Sequence, residues 1–208
     1  MATKKADGKK RTKPVLRGVE LVEAVMAKRV VDGETLAGYP SNELDKLGLG
    51  HKPLSPSLRR WLELDADTFK LGEPQSLLEL VRRDFGDTWA SMYEGIAPLL
   101  PEAIVPFEGW GSDSRRFLYL GKADAFGEYT VMTLDTDDAP FLCVNGPVDV
   151  WLAQGAGFLE EEHEYGSVPK EYEPMRKEHA KLNFDGYIVW MDGMLGMLGK
   201  KLDPYDDF

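Results

Sequence analysis

Apolar positions recur at roughly a 3.6-residue period from Gly18 to Val31, where Val19, Val22, Val25, Met26 and Val30 predict an amphipathic helix. Asp32-Gly33 is a turn-forming pair that stops it. Residues 34–52 are rich in glycine and short polar side chains, which predicts a loop with at most one short helix. Leu54-Ser55-Pro56 then opens a second helix: Ser55 can cap it, Pro56 suits its first turn, and Leu58, Trp61 and Leu62 share a face. A third helix is expected from Pro74 toward Phe85, with Leu77, Leu78, Leu80 and Val81 apolar and Gly86 as its stop.

Beyond Pro101 the pattern changes. Ala103–Phe107, Arg116–Gly121, Glu128–Leu134 and Pro140–Asn145 are short apolar or alternating runs, separated by clusters of Gly, Asp and Ser. In Glu128–Leu134 the alternation puts Tyr129, Val131 and Thr133 on one side and Thr130, Met132 and Leu134 on the other. Both sides are partly apolar, which predicts a strand covered on both faces. Short connections between consecutive strands imply an antiparallel meander. Pro147 opens a further helix over Val148–Ala153, and Tyr187–Met191, Asp192-Gly193 and Met194–Leu198 read as a late hairpin. The expected fold is α+β, with N-terminal helices packed on a mainly antiparallel central sheet in a single domain over residues 18–208.

Composition narrows the class. With 208 residues, 43% hydrophobic and 11% aromatic, the chain can bury a core and does not have the composition of a disordered protein. No run of about 20 apolar residues predicts a membrane helix. The charged start has no apolar stretch after it to make a signal peptide. These features point to a cytoplasmic protein. A single cysteine, Cys143, permits no internal disulfide; placed in the apolar run Phe141–Val144, it reads as a small core residue.

Charge is distributed unevenly. The net charge is −11, yet residues 1–17 carry +6, which leaves −17 on residues 18–208. Residues 1–17 read as a flexible basic tail without aromatics to stack on bases, so neither nucleic acid nor a membrane is the expected partner. Between Ser91 and Glu164, fourteen acids face three bases. Such a body attracts basic partners and steers their encounter; the plainer reading is that acidity keeps the protein soluble.

Candidate chemistry lies in the same segment. Asp135, Asp137 and Asp138 have the spacing of hard-cation ligands, but the glycine and glutamate of a calcium loop are missing, and a turn between strands also favours aspartate. In Glu160, Glu161, Glu162, His163 and Glu164, the histidine beside carboxylates can bind metal or move a proton, while a solvated helix face explains the run with less. His51 and His179 show no metal-ligand spacing. The chain has no nucleophile elbow, and Gly193, Gly196, Gly199 and Lys200 fail the spacing of a phosphate loop. Trp151 reads as core, whereas Trp110, between Glu108-Gly109 and Gly111, sits in a polar loop as a candidate anchor.

The succession of elements resembles the SUKH superfamily. Leu54–Leu62 is similar to that family's proline-containing helix opening, and Ile104-Val105-Pro106-Phe107 with the Gly/Asp loop Gly109–Asp113 resembles its strand before a glycine-rich turn. Tyr129–Leu134, Asp135–Asp138, Phe141–Val144 and Val148–Leu152 resemble its closing strand–strand–helix. The resemblance covers about residues 54–155 and leaves 156–208 as a C-terminal extension. It implies a non-catalytic immunity protein that neutralises a cognate toxin domain, with no cofactor and no metal. Glu108, Trp110, Asp113, Asp135, Asp137, Asp138, Glu160, Glu161, Glu162 and Glu164 are the expected contact residues. Two alternatives stand beside it: a metal-dependent or acid–base enzyme using Asp135/Asp137/Asp138 or Glu161/His163, and a regulatory scaffold like the family's eukaryotic relatives.

Overall fold

A computed structural model describes residues 15–47, 49–94, 97–108, 115–135, 141–160, 168–183, 188–190 and 201–202. Its helices are α1 (Gly18–Val31), α2 (Ser41–Leu44), α3 (Pro56–Leu64), α4 (Leu77–Phe85), α5 (Asp87–Tyr93), α6 (Val148–Gly155) and α7 (Glu173–Asn183). The strands are β1 (Lys70–Leu71), β2 (Ile104–Glu108), β3 (Arg115–Tyr119), β4 (Thr130–Asp135), β5 (Phe141–Pro147), β6 (Ile188–Trp190) and β7 (Lys201–Leu202). Each strand pairs antiparallel with the next, so the sheet is an uninterrupted meander from β1 to β7.

The two-residue period of the strands divides the interior into two cores. Val105, Phe107, Leu118 and Val131 face α1, α3 and α6, meeting Leu21, Val22, Val25, Leu58, Trp61 and Leu152. Ile104, Phe117, Tyr119, Met132 and Leu134 face the other way, onto Leu80 and Val81 of α4, Tyr93 of α5 and Ala180 of α7. The strand expected to be covered on both faces is covered on both, with a register shift against β5 between Val131 and Met132. Trp151 is core: it stacks on Phe107 with ring centroids 4.3 Å apart. Cys143 is fully buried, and burial pushes its thiol up to about 12.

Several boundaries depart from the sequence reading, each for a local reason. α1 spans the expected residues, but Leu21 belongs to its buried stripe whereas Val30 is exposed. α4 starts at Leu77, not Pro74, because Ser76 and Glu79 form a reciprocal capping box: Ser76 Oγ accepts from the Glu79 N–H, and Glu79 Oε2 accepts from the Ser76 N–H. Ser55 occupies the cap position of α3, but its side chain does not cap the helix. The late strands pair Ile188 with Leu202 and Val189 with Lys201. The expected turn, Asp192-Gly193, lies outside the described residues. Finally, residues 15–17 belong to the body rather than to a tail: the Tyr172 hydroxyl donates to the Leu16 carbonyl, and Arg17 is buried.

Candidate functional site

The strand ends sort the candidate residues by position. Register places Arg115 opposite Leu134 and Asp135 opposite Phe141, so the β2–β3 and β4–β5 connections leave from one end of the sheet, the hairpin end. Glu108 closes β2 there and is exposed. Beside it, Arg83 and Arg115 share Asp84, with Nε–Oδ distances of 2.6 and 2.8 Å, and Arg115 lies over the Phe85 ring. The meander therefore carries Glu108 and the backbone of Asp135 to a common end. Trp110, Asp113, Asp137 and Asp138 lie outside the described residues. Glu160 follows α6 and is exposed, and no described bond joins it to Glu108. Glu161, Glu162, His163 and Glu164 are likewise outside the described residues.

The opposite end holds a different arrangement of charge, and its residues were not among the sequence candidates. The start of α1, the β3–β4 connection, the start of α6 and the middle of α7 converge on Arg17, Asp124, Asp149 and His179, all with buried side chains. Arg17 Nε donates to Asp149 Oδ2 and Arg17 Nη2 to Asp124 Oδ2, each at 2.7 Å. Asp149 also accepts the Gly18 N–H at 2.6 Å, so one carboxylate at the start of α6 holds the first residue of α1. Asp124 Oδ1 accepts the N–H groups of Phe126 and Glu128, closing the turn, and Oδ2 takes His179 Nε2–H at 3.2 Å in addition to Arg17.

Burial alone would raise the Asp124 carboxyl. The bonds from His179, the Glu128 N–H and Arg17 outweigh it and hold the group far below the usual carboxylate range. Arg17 shows the same balance: burial disfavours its charge, and Asp149 and Asp124 restore and exceed the loss.

His179 Nδ1 meets Thr130 Oγ1 at 2.8 Å, so carboxylate, imidazole and hydroxyl stand in a row. The order is that of a hydrolytic relay, but the surroundings are those of a structural one. Thr130 and His179 are both fully buried, and Thr130 Oγ1 also accepts from Asn183 Nδ2 at 3.0 Å. Asn183 in turn clasps the backbone of Lys122, accepting its N–H at 2.7 Å and donating to its carbonyl at 3.2 Å. The row thus fastens α7 to the β3–β4 connection. Next to it opens a cleft of about 500 Å³ lined by Lys52, Glu102, Tyr119, Lys122, Tyr129 and Asn183.

One signal for this network is present in the sequence: His179 and Asn183, four residues apart, fall on one face of a helix. Their partners are not readable, because Arg17 and Asp149 lie 132 positions apart. Among the described residues, no three His, Cys, Asp or Glu side chains are grouped to hold a metal ion, and no helix is long and apolar enough to cross a membrane.

No family model matches the chain, and no curated protein matches it. Among solved structures, an uncharacterized protein from Salmonella enterica subsp. enterica serovar typhimurium str. 14028s is similar at 16% identity and a TM-score of 0.45, over 86% of this chain and 96% of that one. A likeness at this level carries no argument about what the present chain does.

Proposed function

We propose that this chain is a non-catalytic, cytoplasmic binding protein of the SUKH-like immunity type, which neutralises a cognate toxin domain of basic charge through the acidic hairpin end of its sheet. The observation that carries the reading is how the charges are used. Arg17, Arg29, Arg59, Arg60, Arg82, Arg83, Arg115 and Arg176 are each bound to a carboxylate of the chain itself. With Arg17 counted, residues 17–208 carry −16 (−17 plus one), an excess that remains after these pairings.

Glu108 and Asp135 close β2 and β4 at the hairpin end, and the connections that follow them in sequence carry Trp110, Asp113, Asp137 and Asp138. An acidic face of this kind raises the association rate with a basic partner and makes binding sensitive to salt. A nuclease domain, basic because it must hold phosphates, is the toxin class that fits.

The test is capture of partners from a lysate of the source cell at low and high salt, followed by weighing of the complex. One stoichiometric, salt-sensitive partner with a basic toxin domain is the expected result. No partner at either salt contradicts the proposal, and many weak partners would favour a scaffold instead.

A further inference from the structure

Glu128 is fully buried at the end of the β3–β4 connection. Its Oε1 accepts the N–H of Ser57, the second residue of α3, at 3.0 Å, and so takes the capping role that Ser55 leaves open. Its Oε2 makes no well-formed hydrogen bond, although the Ser55 and Ser57 hydroxyls stand close enough to act on the carboxyl. Among the described residues no ion pair reaches this carboxyl. Arg17, the nearest cation in the network, is committed to Asp149 and Asp124.

The groups around it come from every packed element. From α6, the Asp149 carboxylate adds repulsion; from its own turn, Asp124 accepts the Glu128 N–H at 2.9 Å; from α7, His179 is bonded to Asp124 and Thr130; and at the start of α3 stand the Ser55 and Ser57 hydroxyls, while Arg59 and Arg60 pair with Asp45, Glu23 and Glu63. An ionised Glu128 would be an unpaired buried charge next to another carboxylate, whereas the neutral acid has a use for every atom.

We infer that Glu128 is held as the neutral acid in the closed fold and works as a proton-controlled latch between the β3–β4 connection and the start of α3. When it is protonated, Oε1 keeps the Ser57 N–H and the Oε2–H donates to a serine hydroxyl. When the pH rises, that proton passes to solvent and Oε2 is left as an anion facing Asp149. Burial pushes the group up from 4.5 to about 7; the hydroxyls and N–H of Ser57 and Ser55 pull against that rise, and Asp149 adds to it. Because the folded value is the higher one, the latch's contribution is full below about 4.5 and is lost as pH rises through about 7. Leu58, Trp61 and Leu62 follow on α3, so releasing its first turn loosens the core shared with α1 and α6.

The test is amide exchange at Ser57, corrected for its intrinsic pH dependence, in the wild-type chain and in Glu128→Gln. The glutamine is neutral at every pH and can make the same bonds. Wild-type protection is expected to fall about tenfold per pH unit between about pH 5 and about pH 7 and then level off. Glu128→Gln is expected to stay flat. A variant that keeps the wild-type slope would assign the titration to another group and overturn the latch. Carbon-13 observation of the Glu128 carboxyl in the unmodified chain provides an independent reading: a midpoint near 7 supports the latch, and one near 4.5 overturns it.

Discussion

The two ends of the meander use carboxylates in opposite ways. At the end where β3 turns into β4, Asp124 and Asp149 are buried, bonded to Arg17 and His179, and tie α1, α6 and α7 to one turn. At the hairpin end Glu108 is exposed, and the arginines beside it are already held by Asp84. The acid-rich stretch from Ser91 to Glu164 contains both kinds. Asp124, Glu128 and Asp149 are interior, and Asp124 and Asp149 are paired with Arg17, so a count of acids along the sequence overstates the charge this stretch presents at the surface. Charge density in sequence therefore does not separate buried acids from exposed ones; the sheet's connectivity places Asp124 and Asp149 at one end and Glu108 at the other.

The largest expected effect comes from breaking the buried end. Asp124→Ala leaves Arg17 with Asp149 as its remaining partner and removes the acceptor of His179 and of the Phe126 and Glu128 N–H groups, and should lower unfolding stability by about 3 kcal/mol in urea denaturation. The same carboxylate sets a pH dependence of opposite sign to that of Glu128. Its folded value is depressed, so its contribution is present above the ordinary 3.8 and lost as pH falls below it. Acid unfolding of the wild-type chain should show this loss, and Asp124→Asn should show much less of it.

A smaller effect is expected away from both ends. Ser76→Ala removes half of the capping box of α4 and should cost about 1 kcal/mol, measured the same way. Smallest is the effect of the hairpin end on folding: Glu108→Lys with Asp113→Lys should leave stability within about 0.5 kcal/mol of wild type. A loss there comparable to that of Asp124→Ala would erase the distinction between the two ends.

Much of the fold is readable along the chain wherever period and punctuation agree. Gly18–Val31 ends at Asp32-Gly33 as expected, four strands and the helix after Pro147 fall where alternation and turn residues place them, and the α+β class follows from their order. The elements that escape notice have physical reasons to do so. α5 has seven residues, too few for a period to show. β1 has two residues. α7 buries Arg176 and His179 together with Ala180 in place of an apolar stripe, so hydrophobic periodicity does not announce it.

Arg17 looked like the last charge of a basic tail because its partners, Asp124 and Asp149, lie 107 and 132 positions away. Of the candidate contact residues, Glu108 and Glu160 are placed as exposed side chains and Asp135 by its backbone.

The most direct test of the account is to titrate the captured partner into wild-type chain and into Glu108→Lys/Asp113→Lys/Asp137→Lys/Asp138→Lys, at low and at physiological ionic strength. If the hairpin end is the contact face, the variant folds like wild type, binds at least about tenfold more weakly, and loses most of the salt dependence. Unchanged affinity with unchanged salt dependence would contradict the account and place the binding face elsewhere on the molecule.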